Sequence, residues 1–188
     1  MNIMLLIAAP SGAGKNSFLS RALRDFPQLK DVATYTTRAP RTKEKQGVDY
    51  HFVNSDKFSS LIEEGFFAEW AKVHDQFYGV SHQSLKDCWA EGRAAIMDVD
   101  IQGVETLQTS YPQAKSIFIM PPSIEELKVR ILARDVRAPA NLELRLENAR
   151  VEMARAGDFD FQIINDDLEE SYGRFKIIIE QILENALV

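Results

Sequence analysis

The strongest chemical signal in the sequence is a glycine-containing turn that ends in a lysine, at residues 9–17 (APSGAGKNS). It follows the pattern G-x-x-x-x-G-K-[ST] except that Ala9 replaces the first glycine and Asn16 replaces the hydroxyl residue. An apolar run precedes the turn and an amphipathic segment follows it. The glycines permit a backbone that aims N–H groups at an anion, and Lys15 adds a point charge. The turn predicts a phosphate-binding loop; the alternative is an ordinary strand–helix turn with a solvated lysine.

Asn16 stands where the pattern has the hydroxyl that normally binds Mg²⁺. An amide oxygen is also a hard ligand and can serve directly or through a water. Ser17 cannot take its place, because one residue along a helix turns the side chain by about 100°. The sequence predicts metal binding that is retained but altered.

Two arginines and two aspartates form the other candidate groups. Arg38 and Arg41 flank Pro40, and the planar fork of arginine suits phosphate oxygens. Asp98 and Asp100 follow a buried strand, at the edge where open α/β sheets bind ligands. The alternatives are surface charges for the arginines and a helix cap for the aspartates.

The elements that would position these residues alternate along the chain. Apolar runs typical of buried parallel strands lie at residues 3–9, 94–99, 114–120 and 161–164. Helical spacing follows them at residues 17–26, 102–110, 124–134 and 168–187. This alternation predicts an α/β fold with a parallel sheet covered by helices on both faces.

Residues 35–90 differ from this pattern. Short aromatic and β-branched segments at 50–53, 67–73 and 76–80, with a helical stretch at 55–64, predict a small mixed-sheet insertion. Residues 135–141 contain a proline between two helical patterns, and they are interpreted as a mobile lid or as an ordinary interhelix loop.

Composition excludes several classes of protein. The 188 residues carry 22 Lys+Arg and 28 Asp+Glu, a net charge of −6, which argues against a nucleic-acid-wrapping protein. The single cysteine, Cys88, has no partner for an internal disulfide, and three scattered histidines do not form a zinc cluster. Apolar runs fall short of the roughly 18 residues that a membrane span needs. We expect a cytoplasmic enzyme with no nucleic-acid or membrane partner; its oligomeric state stays open.

Taken together, several motifs resemble those of the guanylate kinase family. Besides the loop, they are TTRAPR at 36–41, GVDYHFV at 47–53, EEGFFAEW at 63–70, YG at 78–79, DVDIQG at 98–103, PPS at 121–123 and INDD at 164–167. The resemblance covers about residues 3–185. It implies transfer of a phosphoryl group from ATP to GMP, and to dGMP, with Mg²⁺.

The resemblance also implies roles for individual residues. ATP binding falls on Ala9, Pro10, Ser11, Gly12, Ala13, Gly14, Lys15, Asn16, Ser17, Arg130 and Asn165. GMP binding falls on Thr34, Arg38, Arg41, Tyr50, Glu69, Tyr78, Val80, Asp98 and Asp100, with Glu69 as the guanine reader. The catalytic residues are Lys15, Arg38, Arg41, Arg130, Arg134 and Arg145, and the metal ligands are Asn16 and Asp98. The implied parts are a P-loop kinase core (about 1–33, 92–126 and 157–188), a GMP-binding insertion (34–91) and a lid (127–156).

The sequence departs from the family pattern at several positions. Asn16 replaces a hydroxyl, Val80 replaces a serine or threonine that contacts guanine, Tyr35 is bulky, and Asp135 and Arg137 alter the lid. Two departures, Asn16 and Val80, are similar to ribose 1,5-bisphosphate kinases, so a sugar-phosphate kinase is the first alternative. The second is a silent guanylate-kinase-like binding module, which the retained lysine and arginines disfavour.

Overall fold

The computed structural model describes residues 2–42, 44–48, 50–73, 75–134 and 141–185. The strands are β1 Met4–Ala8, β2 Leu29–Asp31, β3 Thr34–Thr36, β4 Tyr50–Phe52, β5 Phe67–Val73, β6 Gln76–Ser81, β7 Ala94–Asp98, β8 Lys115–Met120 and β9 Phe161–Ile164. The helices are α1 Lys15–Asp25, α2 Ser55–Glu63, α3 His82–Ala90, α4 Ile101–Ser110, α5 Ile124–Arg134, α6 Leu142–Ala154 and α7 Leu168–Asn185.

The core of the described chain is a parallel sheet with the strand order β2-β7-β1-β8-β9. All residues of the central strand β1 are buried, because helices cover both of its faces. Leu6 and Met97 pack on one face with α3 and α4, while Leu5 and Ile7 pack on the other with α1 and α7. The predicted α/β fold with helices on both faces is confirmed.

A second, mixed sheet has the order β4-β3-β6-β5 and lies between β2 and β7 in sequence. Phe58 and Leu61 of α2 pack on it against Phe67, so this sheet has a small aromatic core of its own. α4 of the main core lies against β5, which brings the second sheet next to the carboxyl ends of the parallel strands.

Helices α5 and α6 form a pair with a separate apolar cluster of Leu127, Ile131, Leu146 and Ala149. The pair follows β8 and precedes β9. The predicted lid segment 135–141 lies outside the described residues except for Asn141, which precedes α6.

Some elements differ from the sequence expectations. α1 begins at Lys15, two residues before the predicted start, because the turn around Gly14 already has helical hydrogen bonding. β2, β3 and α3 were not predicted, because their apolar patterns are weak: β2 and β3 have only three residues each, and only two residues of α3 are buried. In the part of the chain that the structure describes, no helix has both the length and the apolar character to cross a membrane.

Candidate active site

A cleft of about 620 Å³ opens at the carboxyl ends of the parallel strands, facing the second sheet. Predicted residues from both sides line it, namely Ala9, Lys15, Asn16, Thr34, Tyr50, Glu69, Tyr78, Val80, Asp98 and Asp100. The fold therefore brings the predicted phosphate loop and most of the predicted acceptor residues to one cavity. A cavity of this size between two sheets is typical of a small-molecule site.

The loop at residues 9–17 has the backbone that its glycines predicted. Gly12 and Gly14 have φ values of 103° and 98°, in the left-handed region that favours glycine. The Ala13 N–H donates to the Pro10 carbonyl at 3.0 Å, and the Ser17 N–H to Gly14 at 2.9 Å. The start of α1 therefore points its N–H groups and its partial positive charge toward the cleft.

Lys15 forms an ion pair with Asp98 at the end of β7. The pair is partly exposed, so its net contribution to folding is small. Asp100, two residues later, accepts the Gly103 N–H at 2.7 Å and so caps α4. The helix-cap interpretation therefore holds for Asp100, although its side chain also lines the cleft.

Glu69 is a buried carboxylate at the wall of the cleft. It lies in β5 with 9% of its surface exposed, against the first turn of α4, where a Cβ at Gly103 would lie 3.2 Å from its Oε1. Burial, and to a lesser degree the Asp100 carboxylate, raise the pKa of Glu69 to about 7. No ion pair joins Glu69 to a cation of the described residues, and a buried carboxylate is costly unless it receives hydrogen bonds, so Glu69 is suited to accept them from a ligand.

Arg38 is held by neighbours on three sides. Its Nη2 donates to Glu44 Oε1 at 2.8 Å, and its guanidinium carbon lies 5.1 Å from the Tyr50 ring centre and 5.8 Å from that of Phe52. The hydrogen bond to Glu44 raises the pKa of Arg38 further above its usual value. The arginine is thus fixed beside the tyrosine with which it was predicted to act.

Glu44 is a residue that the sequence analysis missed. One carboxylate oxygen accepts from Arg38 and the other accepts the Arg41 backbone N–H at 2.8 Å, so Glu44 shapes the loop that carries both arginines. These hydrogen bonds, that from Arg38 first, lower the pKa of Glu44. The only signal in the sequence is an acidic residue three positions after the second arginine, which is too common to interpret.

The arginines of α5 and α6 have different environments. Arg145 of α6 donates from Nη2 to the Ser11 Oγ at 2.8 Å, which brings it to the phosphate loop. Arg130 donates from Nε to Glu126 Oε1 at 2.9 Å, a pair along the same helix. The backbone of Arg134 ends α5, and its side chain lies outside the described part of the structure.

The phosphate loop also packs directly on α5. A Cβ at Gly12 would lie 2.9 Å from the Ile131 side chain and 3.2 Å from that of Leu127. Gly12 is therefore required for close approach as well as for its left-handed backbone. This contact and the Arg145–Ser11 bond join the loop to both helices of the α5–α6 pair.

Two further acids line the cleft without having been predicted. Asp31 ends β2 with part of its surface exposed to solvent; the surrounding protein still displaces water from its carboxyl group, and this desolvation, with a smaller effect of the nearby Asp98, raises its pKa. Glu152 reaches in from α6; burial raises its pKa, Lys15 offsets part of this, and Asp100 adds to it. Neither belongs to a motif, and only the tertiary fold brings them to the site.

Asn165 follows β9 and is buried, with 5% of its surface exposed. Its side-chain amide donates to the Ala13 carbonyl of the phosphate loop at 2.8 Å. The residue expected near the adenine of ATP therefore contacts the loop that would hold the phosphates.

Comparisons with known proteins identify the family. The family model for guanylate kinase matches residues 1–182. A guanylate kinase from Bdellovibrio bacteriovorus is 51% identical over 180 residues, which are 96% of this chain and 97% of that protein. One from Nitratidesulfovibrio vulgaris is 43% identical over 93% of this chain and 84% of its own length.

The fold agrees with this result. A crystal structure of guanylate kinase from Anaplasma phagocytophilum superposes with a TM-score of 0.74 at 31% identity, over 96% of this chain and 85% of the other. A shikimate kinase from Bacteroides thetaiotaomicron, with a TM-score of 0.51 at 13% identity over 95% and 98% of the two chains, shares the fold alone. The family model, the two sequence relatives and the superposition agree that this chain belongs to the guanylate kinase family.

Proposed function

We propose that the chain transfers the γ-phosphoryl group of ATP to GMP, and also to dGMP, and forms ADP and GDP or dGDP. An oxygen of the GMP phosphate attacks the γ-phosphorus, and the bond from that phosphorus to the oxygen bridging to the β-phosphate breaks. The observation that carries the proposal is the placement of a buried carboxylate, Glu69, across one cleft from a glycine-containing phosphate loop.

The donor end is built on the loop. We assign ATP binding to Ala9, Pro10, Ser11, Gly12, Ala13, Gly14, Lys15, Asn16 and Ser17, with Arg130 and Asn165 in support. Backbone N–H groups and the start of α1 hold the β- and γ-phosphates, and Lys15 exchanges Asp98 for a phosphate oxygen when the donor binds.

The acceptor end is built on the second sheet. Glu69 accepts hydrogen bonds from N1–H and the 2-amino group of guanine, a pair that adenine does not present. Thr34, Val80, Asp98 and Asp100 complete the base and ribose side of this site in our assignment. Val80 offers contact without a hydrogen bond, so Glu69 carries more of the discrimination than it would beside a hydroxyl.

We assign binding of the GMP phosphate to Arg38, Arg41, Tyr50 and Tyr78. Tyr50 and Tyr78 line the cleft, and Arg38 stacks on the ring of Tyr50. Arginine binds phosphate oxygens through two parallel hydrogen bonds, which fixes the acceptor in line with the donor. Catalysis consists of this positioning and of charge neutralisation.

Arg130, Arg134 and Arg145 neutralise the transferring phosphoryl group together with Lys15. We assign residues 127–156 as the lid that carries these arginines, residues 34–91 as the GMP-binding insertion, and residues 1–33, 92–126 and 157–188 as the core. The Arg145–Ser11 hydrogen bond supports this assignment, because it already joins α6 to the phosphate loop.

Magnesium fits the donor set of the cleft. Asn16 and Asp98 both line it, and their side chains carry amide and carboxylate oxygens, the ligand type that Mg²⁺ prefers. When bound with ATP, the ion neutralises charge on the β- and γ-phosphates. We assign its protein contacts to these two residues, and Asn16 to contact through its amide oxygen or an intervening water.

A coupled assay of ADP formation tests the proposal. With ATP and Mg²⁺ present, GMP, dGMP, AMP, CMP, UMP and ribose 1,5-bisphosphate are compared as acceptors. We expect the highest kcat/KM for GMP and little turnover of the other ribonucleotides. Turnover of the sugar phosphate alone would indicate the sugar kinase, and saturable GMP binding without turnover would indicate the silent module.

A further inference from the structure

We propose that Asn165 is a positioning residue of the phosphate-binding loop: its buried amide holds the Ala13 carbonyl and thereby fixes the Gly14 turn from which α1 and Lys15 begin. This inference rests on the proposed binding of a nucleoside triphosphate at the loop. It differs from a contact with the base of ATP, because it acts on the phosphates whatever base they carry.

The first support is the hydrogen bond itself. Asn165 Nδ2 lies 2.8 Å from the Ala13 carbonyl oxygen, and Ala13 is itself fully buried. Because a carbonyl can only accept, the amide nitrogen and not the amide oxygen must face the loop. Loss of this donor would leave the carbonyl of a buried residue without the Asn165 bond, which is costly.

The second support is the fit between Asn165 and Gly14. A Cβ on Gly14 would lie 2.6 Å from Asn165 Nδ2, so the amide occupies the space that any other residue at position 14 would need. Gly14 also has a φ of 98°, which only glycine adopts easily. The two residues therefore fit together: Gly14 has no side chain, and the Asn165 amide fills the space that this leaves.

The third support is the way in which α1 begins. Helices α2, α3 and α4 each start with a side-chain cap, from Asn54, Ser81 and Asp100 respectively. As far as the described residues extend, no side chain caps the Gly14 end of α1, and α6 likewise begins at Asn141 without a side-chain cap. This leaves the first N–H groups available to an anion, but it also removes the usual means of fixing a helix start. Asn165 supplies that restraint by holding the carbonyl of the preceding residue.

The fourth support is the rigidity of the anchor. The Asn165 backbone N–H donates to Met120 at 2.8 Å and so continues the pairing of β8 and β9. The preceding carbonyl, that of Ile164, accepts from Ser171 at 3.0 Å and from Arg174 at 2.8 Å. Asn165 is thus fixed to the sheet and to α7, and its hydrogen bond to Ala13 restrains the loop.

Binding measurements on the free protein test the inference. Asn165→Ala removes the amide, and Asn165→Leu keeps most of its volume without the donor, so the two separate the hydrogen bond from packing. The matched control is Asn54→Ala, which removes a side-chain hydrogen bond to a backbone N–H at 2.8 Å outside the cleft. Isothermal titration follows ATP, GMP and inorganic tripolyphosphate, which has no base.

We expect both Asn165 variants to bind ATP and tripolyphosphate about tenfold more weakly, by the same factor, and to bind GMP as the wild type does. Hydrogen exchange of the amides at residues 14–17 should be faster in both variants and unchanged in Asn54→Ala. In turnover with GMP, KM for ATP should rise and kcat should fall together, since Lys15 shifts with the loop.

Three results would overturn the inference: weaker ATP binding with unchanged tripolyphosphate binding, wild-type tripolyphosphate affinity in Asn165→Leu, or an equal loss of GMP affinity. The first would make Asn165 a base contact, the second would make packing sufficient, and the third would indicate general disorder. If the wild type binds tripolyphosphate but does not phosphorylate GMP, the proposed function fails while this inference is still tested.

Discussion

In its proposed role Glu69 must be ionised, but its buried position disfavours the ionised form. To accept two hydrogen bonds from guanine its carboxyl group must be ionised, yet burial and Asp100 raise its pKa to about 7. In the proposed function, hydrogen-bond donors of GMP would stabilise the ionised form of this buried carboxyl group. This residue makes two predictions possible, one for binding and one for folding.

The KM for GMP should rise as the pH falls. With a pKa of about 7, roughly nine-tenths of Glu69 is ionised at pH 8 and one-tenth at pH 6, so we expect an increase of about tenfold over this range. The KM for ATP should change much less. Steady-state kinetics across pH 6–8 measure both, and Glu69→Gln, which carries no charge, should show a high and flat KM for GMP. A pH-independent KM in the wild type would contradict the assigned role.

Folding stability should depend on the ionisation of the same carboxyl group, but in the opposite direction: it should be higher at low pH. Since the folded pKa of about 7 lies above the usual glutamate value of 4.5, the carboxyl favours folding most when it is protonated. That contribution is complete below pH 4.5 and is lost as the pH rises through 7. Urea unfolding of Glu69→Gln should therefore give a gain of roughly 1–3 kcal/mol at pH 8 and almost none at pH 4.5. An equal gain at both pH values would mean that packing, and not charge, limits stability here.

At the scale of elements, the pairing of β5 with β6 holds Glu69 against α4. Gly79 lies opposite Trp70 in this pair, and a Cβ there would lie 2.9 Å from the Phe67 ring and 3.1 Å from the Glu69 carbonyl oxygen. The second of these neighbours is backbone, which cannot move aside without moving the strand. A side chain at position 79 would therefore displace β5, the strand that carries Glu69.

Gly79→Ala should destabilise the protein by roughly 1–3 kcal/mol and raise the KM for GMP severalfold, with little change in the KM for ATP. Urea unfolding and steady-state kinetics measure the two effects. Gly173→Ala is the matched control, because Gly173 lies within α7 with nothing within 4 Å of its added Cβ, and the change should stabilise the helix by about 0.5–1 kcal/mol. If both variants behaved alike, strand spacing would not determine the acceptor site.

Much of this arrangement was predictable from the sequence because the signals are local. The continuous apolar run of β1 predicted the buried strand, and the glycines after it predicted the left-handed backbone of the turn. β2 was missed because only Leu29 of its three residues is buried, so it has no pattern of its own. Glu44 and Glu152 were missed because their importance comes from contacts that form only in the folded chain.

At the scale of the whole molecule, both sheets line the cleft, and α6 contributes Glu152 to it. In this structure the cations at its edges are held by the protein's own acids, Lys15 by Asp98 and Arg38 by Glu44. In the proposed function, a donor phosphate would therefore compete with Asp98 for Lys15, whereas Arg38 keeps other N–H groups for the acceptor phosphate while Glu44 holds it. The central claim is that a donor and an acceptor face each other, in line, in this single cleft.

Binding of a guanosine and an adenosine joined through their 5′ oxygens by five phosphates tests this claim most directly. Isothermal titration would compare it with ATP, GMP and the corresponding diadenosine compound. We expect the mixed compound to bind at least a hundredfold more tightly than either nucleotide alone and than the diadenosine compound, with the preference lost in Glu69→Gln. An affinity no higher than that of ATP, or equal affinities for the mixed and diadenosine compounds, would contradict the claim.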